Sequence, residues 1–163
     1  MAQNKEEKTN VMRVLEQKKI AYTPHSYPHE EGIAVDGVTV AQSMGFDPAI
    51  VFKTLVARGA SKQYYVFDVP VAENLDLKKA AKAVGEKSIE MIHQKELLPL
   101  TGYVHGGCSP VGMKKLFPTV FHSSAENLAA MIVSAGKIGY QVELAPHDLA
   151  ALVRAKFADI IVE

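Results

Sequence analysis

The stretch Val51-Phe-Lys-Thr-Leu-Val-Ala57, followed after a short polar break by Tyr64-Tyr-Val-Phe-Asp-Val-Pro-Val71, decides the fold class. Both runs are rich in β-branched and aromatic residues, which suit a packed, pleated surface. Arg58-Gly59-Ala60-Ser61 between them is turn material, so the pair reads as a β-hairpin at the centre of the chain. Beyond it lies the clearest helical pattern, Asp76 to Val84. Leu77, Ala80, Ala81 and Val84 fall at i, i+3, i+4 and i+7, Asp76 can cap the start, and Gly85 ends it. The lysines of this helix are then expected to face away from the core.

Towards the N-terminus, a helix is expected from near Asn4, with Glu7 as its capping-box partner and Val11, Val14, Leu15 and Lys18 on one face. Pro24 and Pro28 make Ala21 to Tyr27 extended. His29 to Val38, with Gly32 and Gly37, reads as a surface loop, and a short helix runs from about Thr39 to Gly45. Asp47-Pro48 looks like a cap followed by proline at the first helical position. Towards the C-terminus, short strands are expected around Ser88–Ile92, Thr119–His122, Met131–Ser134 and Tyr140–Leu144. Short helices fit at Gln94–Leu98, Ala125–Ala129 and Pro146–Val153. Many short strands, interrupted by helices too short for regular crossovers, argue against a doubly wound sheet. The expectation is one α+β domain over residues 1–163, its mixed sheet curling towards a barrel with helices outside.

Composition narrows the function classes. The 163 residues match a single domain, with 48% hydrophobic and 22% charged residues as in ordinary globular chains. One cysteine, Cys108, excludes an internal disulfide framework. The polar start MAQNKEEKTN has no apolar signal region, and no apolar run approaches the roughly 20 residues of a membrane span. A soluble, cytoplasmic protein without a membrane partner is expected. Eighteen basic and 18 acidic residues leave no net charge, which argues against coating nucleic acid by bulk charge. Gripping only the end of an RNA stays open. Lys78, Lys79, Lys82 and Lys87 lie close together, and Lys114 with Lys115 forms a second basic spot.

Several residues carry chemistry. Lys53 sits inside the strand VFKTL; alternation would put it on a solvated face, whereas on a cleft wall its ammonium would hold a phosphate or polarised carbonyl. Four glycines and a proline fall between Gly102 and Gly112 in TGYVHGGCSPVGMKK. Glycine allows positive φ and close backbone approach, so amides there could converge on an oxyanion; a tight connection is the plainer reading. The segment is neither a Walker A nor a GxGxxG loop. Cys108 lies beside Ser109 and near His105, but is read as a small buried hydrophobe. The six histidines include no HExxH pair, no paired CxxC is present, and no metal site is expected. Ser134-Ala135-Gly136-Lys137, after the strand MIVS, reads either as a cleft lining or as a plain turn.

Taken together, KTNVMRVLE, HSYPHEEG, VFKTLV, NLDLKKAAKAVGEKSIEM, LTGYVHGGCSPVGMKK, VSAGKIG and FADI resemble, in order, the YbaK/EbsC family. Its members are Cys-tRNA(Pro) deacylases related to the editing domain inserted in bacterial prolyl-tRNA synthetases. The resemblance spans about Lys8 to Ile160 and implies a YbaK-like fold, a mixed barrel-like sheet flanked by helices. It also implies a hydrolase of the aminoacyl ester of mischarged tRNA, without cofactor or metal. Lys53 matches the family's active-site lysine, and Gly106 and Pro110 in GGCSP match its GxxxP loop. Tyr27, Ser134 and their neighbours Thr54, Gly107 and Gly136 are then the expected substrate contacts. The family's chemistry implies attack by the substrate's own cysteine thiol, which fits the lack of an evident protein nucleophile. The expected partners are the CCA end of tRNA, guided by Lys78, Lys79, Lys82, Lys114 and Lys115, and prolyl-tRNA synthetase in a complex. A monomer or weak oligomer is expected. The alternatives are a related deacylase for Ala-, Ser- or Thr-tRNA and a non-catalytic module binding tRNA or synthetase.

Overall fold

The structure, a computed structural model, describes residues 8–163. The helix start expected near Asn4, with its Glu7 partner, lies outside the described residues. Helix α1 (Asn10–Gln17) is capped by Thr9, whose hydroxyl oxygen accepts the Met12 N–H, and it buries Val11, Met12 and Leu15. Strand β1 (Thr23–Ser26) lies within the segment expected to be extended, Ala21 to Tyr27. Helix α2 (Gly37–Met44) begins two residues before the expected Thr39, because Asp36 caps it by accepting the Thr39 N–H at 3.1 Å. Asp47 caps a single 3-10 turn, Pro48–Ile50.

The hairpin consists of β2 (Phe52–Gly59) and β3 (Tyr64–Pro70), in antiparallel register from Phe52 opposite Pro70 to Arg58 opposite Tyr64. Helix α3 (Leu77–Val84) runs from the Asp76 cap to Gly85, as expected. Leu77, assigned to its inner face, is 41% exposed; Ala80 and Ala81 make the buried contacts. Next come β4 (Ile89–Met91) and α4 (Gln94–Thr101), which carries Pro99 inside it and continues past the expected end at Leu98. Proline costs one amide donor there, and Gly102 at φ 90° closes the helix. The remainder is β5 (Thr119–His122), a 3-10 turn at Ser123–Asn127, β6 (Met131–Ser134), β7 (Tyr140–Leu144), α5 (Pro146–Val153) and β8 (Ala155–Ala158).

The strands form two sheets rather than one curled sheet. Five are ordered β4-β2-β3-β5-β8, with β3, β5 and β8 parallel to one another and the β4-β2-β3 pairs antiparallel. The other three are ordered β1-β7-β6 and antiparallel. A single bridge, Val51 to Ile132, joins the sheets beside the open end of the hairpin. The architecture is thus α+β with a mixed sheet, as expected, but the barrel does not close: β4 and β8 each remain an edge.

Strand alternation sends side chains of the hairpin to both faces. Val56 and Val66 join Val11, Leu15, Phe121, Met131, Val133 and Val142 in the main core. Ala57, Tyr65, Phe67 and Val69 pack with Ala80 and Ala81 of α3 in a second cluster. With both faces covered, the run YYVFDVPV is almost wholly apolar, and Asp68 inside it is fully buried.

Candidate active site

A cavity of about 490 Å³ opens where the hairpin's open end meets the loop before α2, the glycine-rich loop after α4 and the ends of β6 and β7. That volume suits a small-molecule group. Its lining includes Lys53 and Thr54 from β2, Tyr27, Gly106, Cys108 and Ser134. Residues far apart in sequence converge here because the Val51–Ile132 bridge holds β2 against β6.

Lys53 is half-buried, not on a solvated strand face. Burial strips solvent from its ammonium and lowers its pKa, while Asp36 and Glu73 pull it back up. Among the described residues Lys53 forms no ion pair. An uncompensated cation on a cavity wall is available to an anionic or polarised oxygen. Thr54 donates its hydroxyl to Asp68 Oδ1 at 2.5 Å. The other oxygen, Asp68 Oδ2, is buried without a partner, and burial pushes the carboxyl up to about 7.

The glycine-rich loop is held in place by its own side chains. Tyr103 donates its hydroxyl to the Val111 carbonyl at 2.5 Å, and Ser109 Oγ accepts the Val111 N–H. Gly106 adopts φ 90°, and a Cβ on it would stand 2.7 Å from the Ala34 Cβ. Only glycine fits both conditions. Among the described residues, the amides of Gly106 and Cys108 donate to no protein acceptor. Both residues line the cavity. Cys108 is buried, and desolvation, reinforced by nearby Asp68, pushes its thiol up to about 12. It lines the cavity as a neutral, poorly nucleophilic group.

Ser134 Oγ accepts the Gly136 N–H at 3.1 Å and so shapes the turn after β6. Gly136 itself lines a smaller neighbouring cavity of about 210 Å³ with His29, Glu31, Tyr103 and Lys137. Gly107 and Pro110 stand outside the lining of the main cavity: Gly107 packs against the backbone of Lys137 and Ile138. Tyr27 is buried, and its phenol pKa is raised by that burial. Among the described residues no group of three or more His, Cys, Asp or Glu side chains is placed to hold a metal ion. No helix among them is long and apolar enough to cross a membrane.

Residues 34–152 match the aminoacyl-tRNA editing domain family, which covers both the hairpin and the glycine-rich loop. The chain belongs to that family. An Enterococcus faecalis (strain ATCC 700802 / V583) relative, provisionally named Cys-tRNA(Pro)/Cys-tRNA(Cys) deacylase EbsC, is 45% identical over 161 residues, 98% of each chain. Among solved structures, one described provisionally as a trans-editing enzyme for prolyl tRNA synthetase aligns with TM-score 0.79 and 25% identity, covering 94% of this chain and 95% of its own. A hypothetical protein aligns with TM-score 0.82 at 18% identity over 93% of this chain and 99% of its own, a likeness of fold alone.

Tyr27, just before the matched residues, shares one cavity with Lys53, Thr54, Gly106 and Ser134, whereas Gly107, Pro110 and Gly136 stand in the supporting turns. Three lining or adjoining residues went unnoticed in the sequence, Asp36, Asp68 and Gln141, while His105, noted there only beside Cys108, also lines the cavity. Gln141 is 7% exposed, and its Oε1 is a buried acceptor without a partner. Asp68 was visible in principle, as an acid inside an apolar strand run. Gln141 gave no local signal, because YQVEL alternates as any half-buried strand does. Among the lysines assigned to RNA guidance, Lys79 is committed elsewhere, bonded to Asp159, Glu163 and the Ile161 carbonyl. Lys114 donates to the Pro99 carbonyl, and Lys115 sits over the Phe117 ring.

Proposed function

We propose that this chain is a free-standing editing deacylase that hydrolyses the ester of mischarged Cys-tRNA(Pro), the whole chain acting as one editing unit. The observation that carries the reading is the Lys53 ammonium, without an ion pair among the described residues, on the wall of a cavity also lined by Gly106, Cys108 and Ser134. A cationic donor on the cavity wall suits an aminoacyl ester, whose carbonyl oxygen accepts. The family match and the name of the 45%-identical relative support the same chemistry.

Lys53 is the catalytic residue of this reading, drawing the carbonyl oxygen or the adjoining phosphate to its ammonium. The Gly106 and Cys108 amides stabilise the oxyanion as the carbonyl becomes tetrahedral. Tyr27, Thr54 and Ser134 line the aminoacyl group, and Gly107, Pro110 and Gly136 hold the turns that position those contacts. The substrate thiol supplies the nucleophile: its sulfur bonds to the carbonyl carbon, the carbon–oxygen ester bond breaks, and the ribose oxygen leaves with a proton. Water then opens the released acyl product. Positioning and oxyanion stabilisation supply the acceleration. Selection of the tRNA comes from a complex with prolyl-tRNA synthetase, the chain itself being a monomer or weak oligomer of the cytoplasm.

The test is hydrolysis of Cys-tRNA(Pro) by the protein and by Lys53→Ala, with Ala-tRNA(Pro) and Pro-tRNA(Pro) alongside. Rapid release of cysteine, lost in the variant, is the expected result. Release of alanine alone would move the substrate within the same reaction class. Binding without turnover, with synthetase present, would replace the enzyme with a binding module.

A further inference from the structure

We propose that Asp68 is a positioning residue for specificity: by taking the Thr54 hydroxyl proton it fixes Thr54 Oγ1 as a hydrogen-bond acceptor towards the aminoacyl side chain. The inference rests on the deacylase reading and adds to it a determinant of which side chain is preferred. Thr54 lines the cavity, and Asp68 stands behind it on the paired strand, directly opposite in register. A hydroxyl can donate once and accept twice. With its single hydrogen committed to Asp68 Oδ1 at 2.5 Å, Thr54 can only accept from a ligand. An acceptor at this point favours a side chain carrying a donor, such as the S–H of cysteine, over the methyl group of alanine.

Stability does not explain the carboxyl. Asp68 is fully buried, and among the described residues Oδ2 has no partner and no cation is bonded to it. A buried carboxyl left half-satisfied opposes folding, so its retention in an otherwise apolar strand points to a role in the cavity. Among the described residues, the groups facing it are the Thr54 hydroxyl from β2 and the Cys108 thiol from the glycine-rich loop. Phe121, its partner in β5, brings no charge. Cys108 stays neutral up to about 12, so near neutrality only Asp68 titrates in this cluster, at about 7. Once protonated, the carboxyl finds its acceptor in Thr54, since Oδ2 meets none. The Thr54 hydrogen then turns to the cavity, and the acceptor is lost.

The experiment compares binding of the stable amides of cysteinyl- and alanyl-adenosine, with deacylation of Cys-tRNA(Pro) alongside, for the protein, Asp68→Val, Thr54→Val, the double variant and Asp68→Asn, from about pH 6 to about pH 8. Asp68→Val is expected to keep its fold and lower the cysteine-to-alanine ratio of affinities by about 3- to 10-fold, the range of one hydrogen bond. Thr54→Val should give a similar loss, and the double variant no further one. Asp68→Asn, which keeps an acceptor, should restore most of the preference and remove its decline below about pH 7. An unchanged ratio in Asp68→Val, or losses that add in the double variant, overturns the inference. So does an equal fall for both amides together with a lower melting temperature, the mark of a purely structural residue. If the protein cleaves no aminoacyl ester, the deacylase reading fails by itself. Asp68 is then judged by the ratio of affinities alone, where the same fold-loss of preference in Asp68→Val is expected. No preference in the parent protein, or one untouched by the variant, rejects it.

Discussion

Burial that pushes the Asp68 carboxyl up to about 7 gives the folded chain a proton that the unfolded chain releases near its ordinary 3.8. Between those values the native state binds more protons, so this group's contribution to stability falls as pH rises and levels off above about 7. A tenfold difference in proton affinity between the two states is worth about 1.4 kcal/mol, so on the order of 2–3 kcal/mol should be lost between about pH 5 and about pH 8. Denaturant unfolding at the two pH values, with Asp68→Asn as reference, should show the parent losing that much relative to the variant. Parallel curves would mean that the carboxyl is not buried as described. The neighbouring Cys108 sets a second expectation at this scale. A thiol held neutral to about 12 is a poor nucleophile at physiological pH. Cys108→Ala should therefore retain deacylation within about threefold, and iodoacetamide should modify the native thiol far more slowly than the unfolded one. Loss of turnover on alkylation of the native protein would return Cys108 to the reaction.

The element that most constrains the site is the glycine-rich loop. Gly106→Ala would place a methyl group 2.7 Å from the Ala34 Cβ at a backbone φ of 90°, so either the loop or the segment before α2 must shift. A cost of about 1–2 kcal/mol in stability is expected, with a loss of turnover larger than that stability change explains, because both displaced segments line the cavity. Thermal unfolding beside steady-state kinetics separates the two effects. Asp76→Ala is the contrasting case. It removes the acceptor of the Lys78 and Lys79 amides at the start of α3, and should cost about 1 kcal/mol while leaving turnover alone. Elements whose punctuation is local could be read from the sequence: α3 between Asp76 and Gly85, α5 from Pro146, and β5, β6 and β7 from short β-branched runs. Strand β8 could not, because Ala155-Lys-Phe-Ala carries no β-branched residue; its parallel pairing with β5 is set by tertiary packing. The same holds inside the site. Lys53 and Gly106 were singled out by strand and glycine chemistry, but the family resemblance was what raised them above the plainer readings, whereas Gln141 came to the cavity wall only when two sheets met.

At the scale of the molecule, a balanced charge of 18 basic and 18 acidic residues limits how much binding can come from phosphates. The lysines nearest to a basic patch are partly spent: Lys79 neutralises Asp159 and Glu163 at the C-terminal end, leaving Lys78 and Lys82 on that helix. Each phosphate neutralised on a single strand contributes about 0.7 to the slope of log affinity against log salt. A protein that grips only the terminal nucleotides through Lys53 and one or two further lysines should therefore show a slope of about 1–2 in magnitude. Filter binding of deacylated tRNA between low and physiological salt reads that slope directly. Addition of prolyl-tRNA synthetase should raise the apparent affinity and steepen the slope, because the synthetase then carries the contacts along the acceptor stem. A slope of about 3.5 or more for the protein alone would mean that Lys78, Lys82, Lys114 and Lys115 add to Lys53 as a continuous phosphate track. In that case selection of tRNA would belong to this chain, and the synthetase would not be needed to supply it.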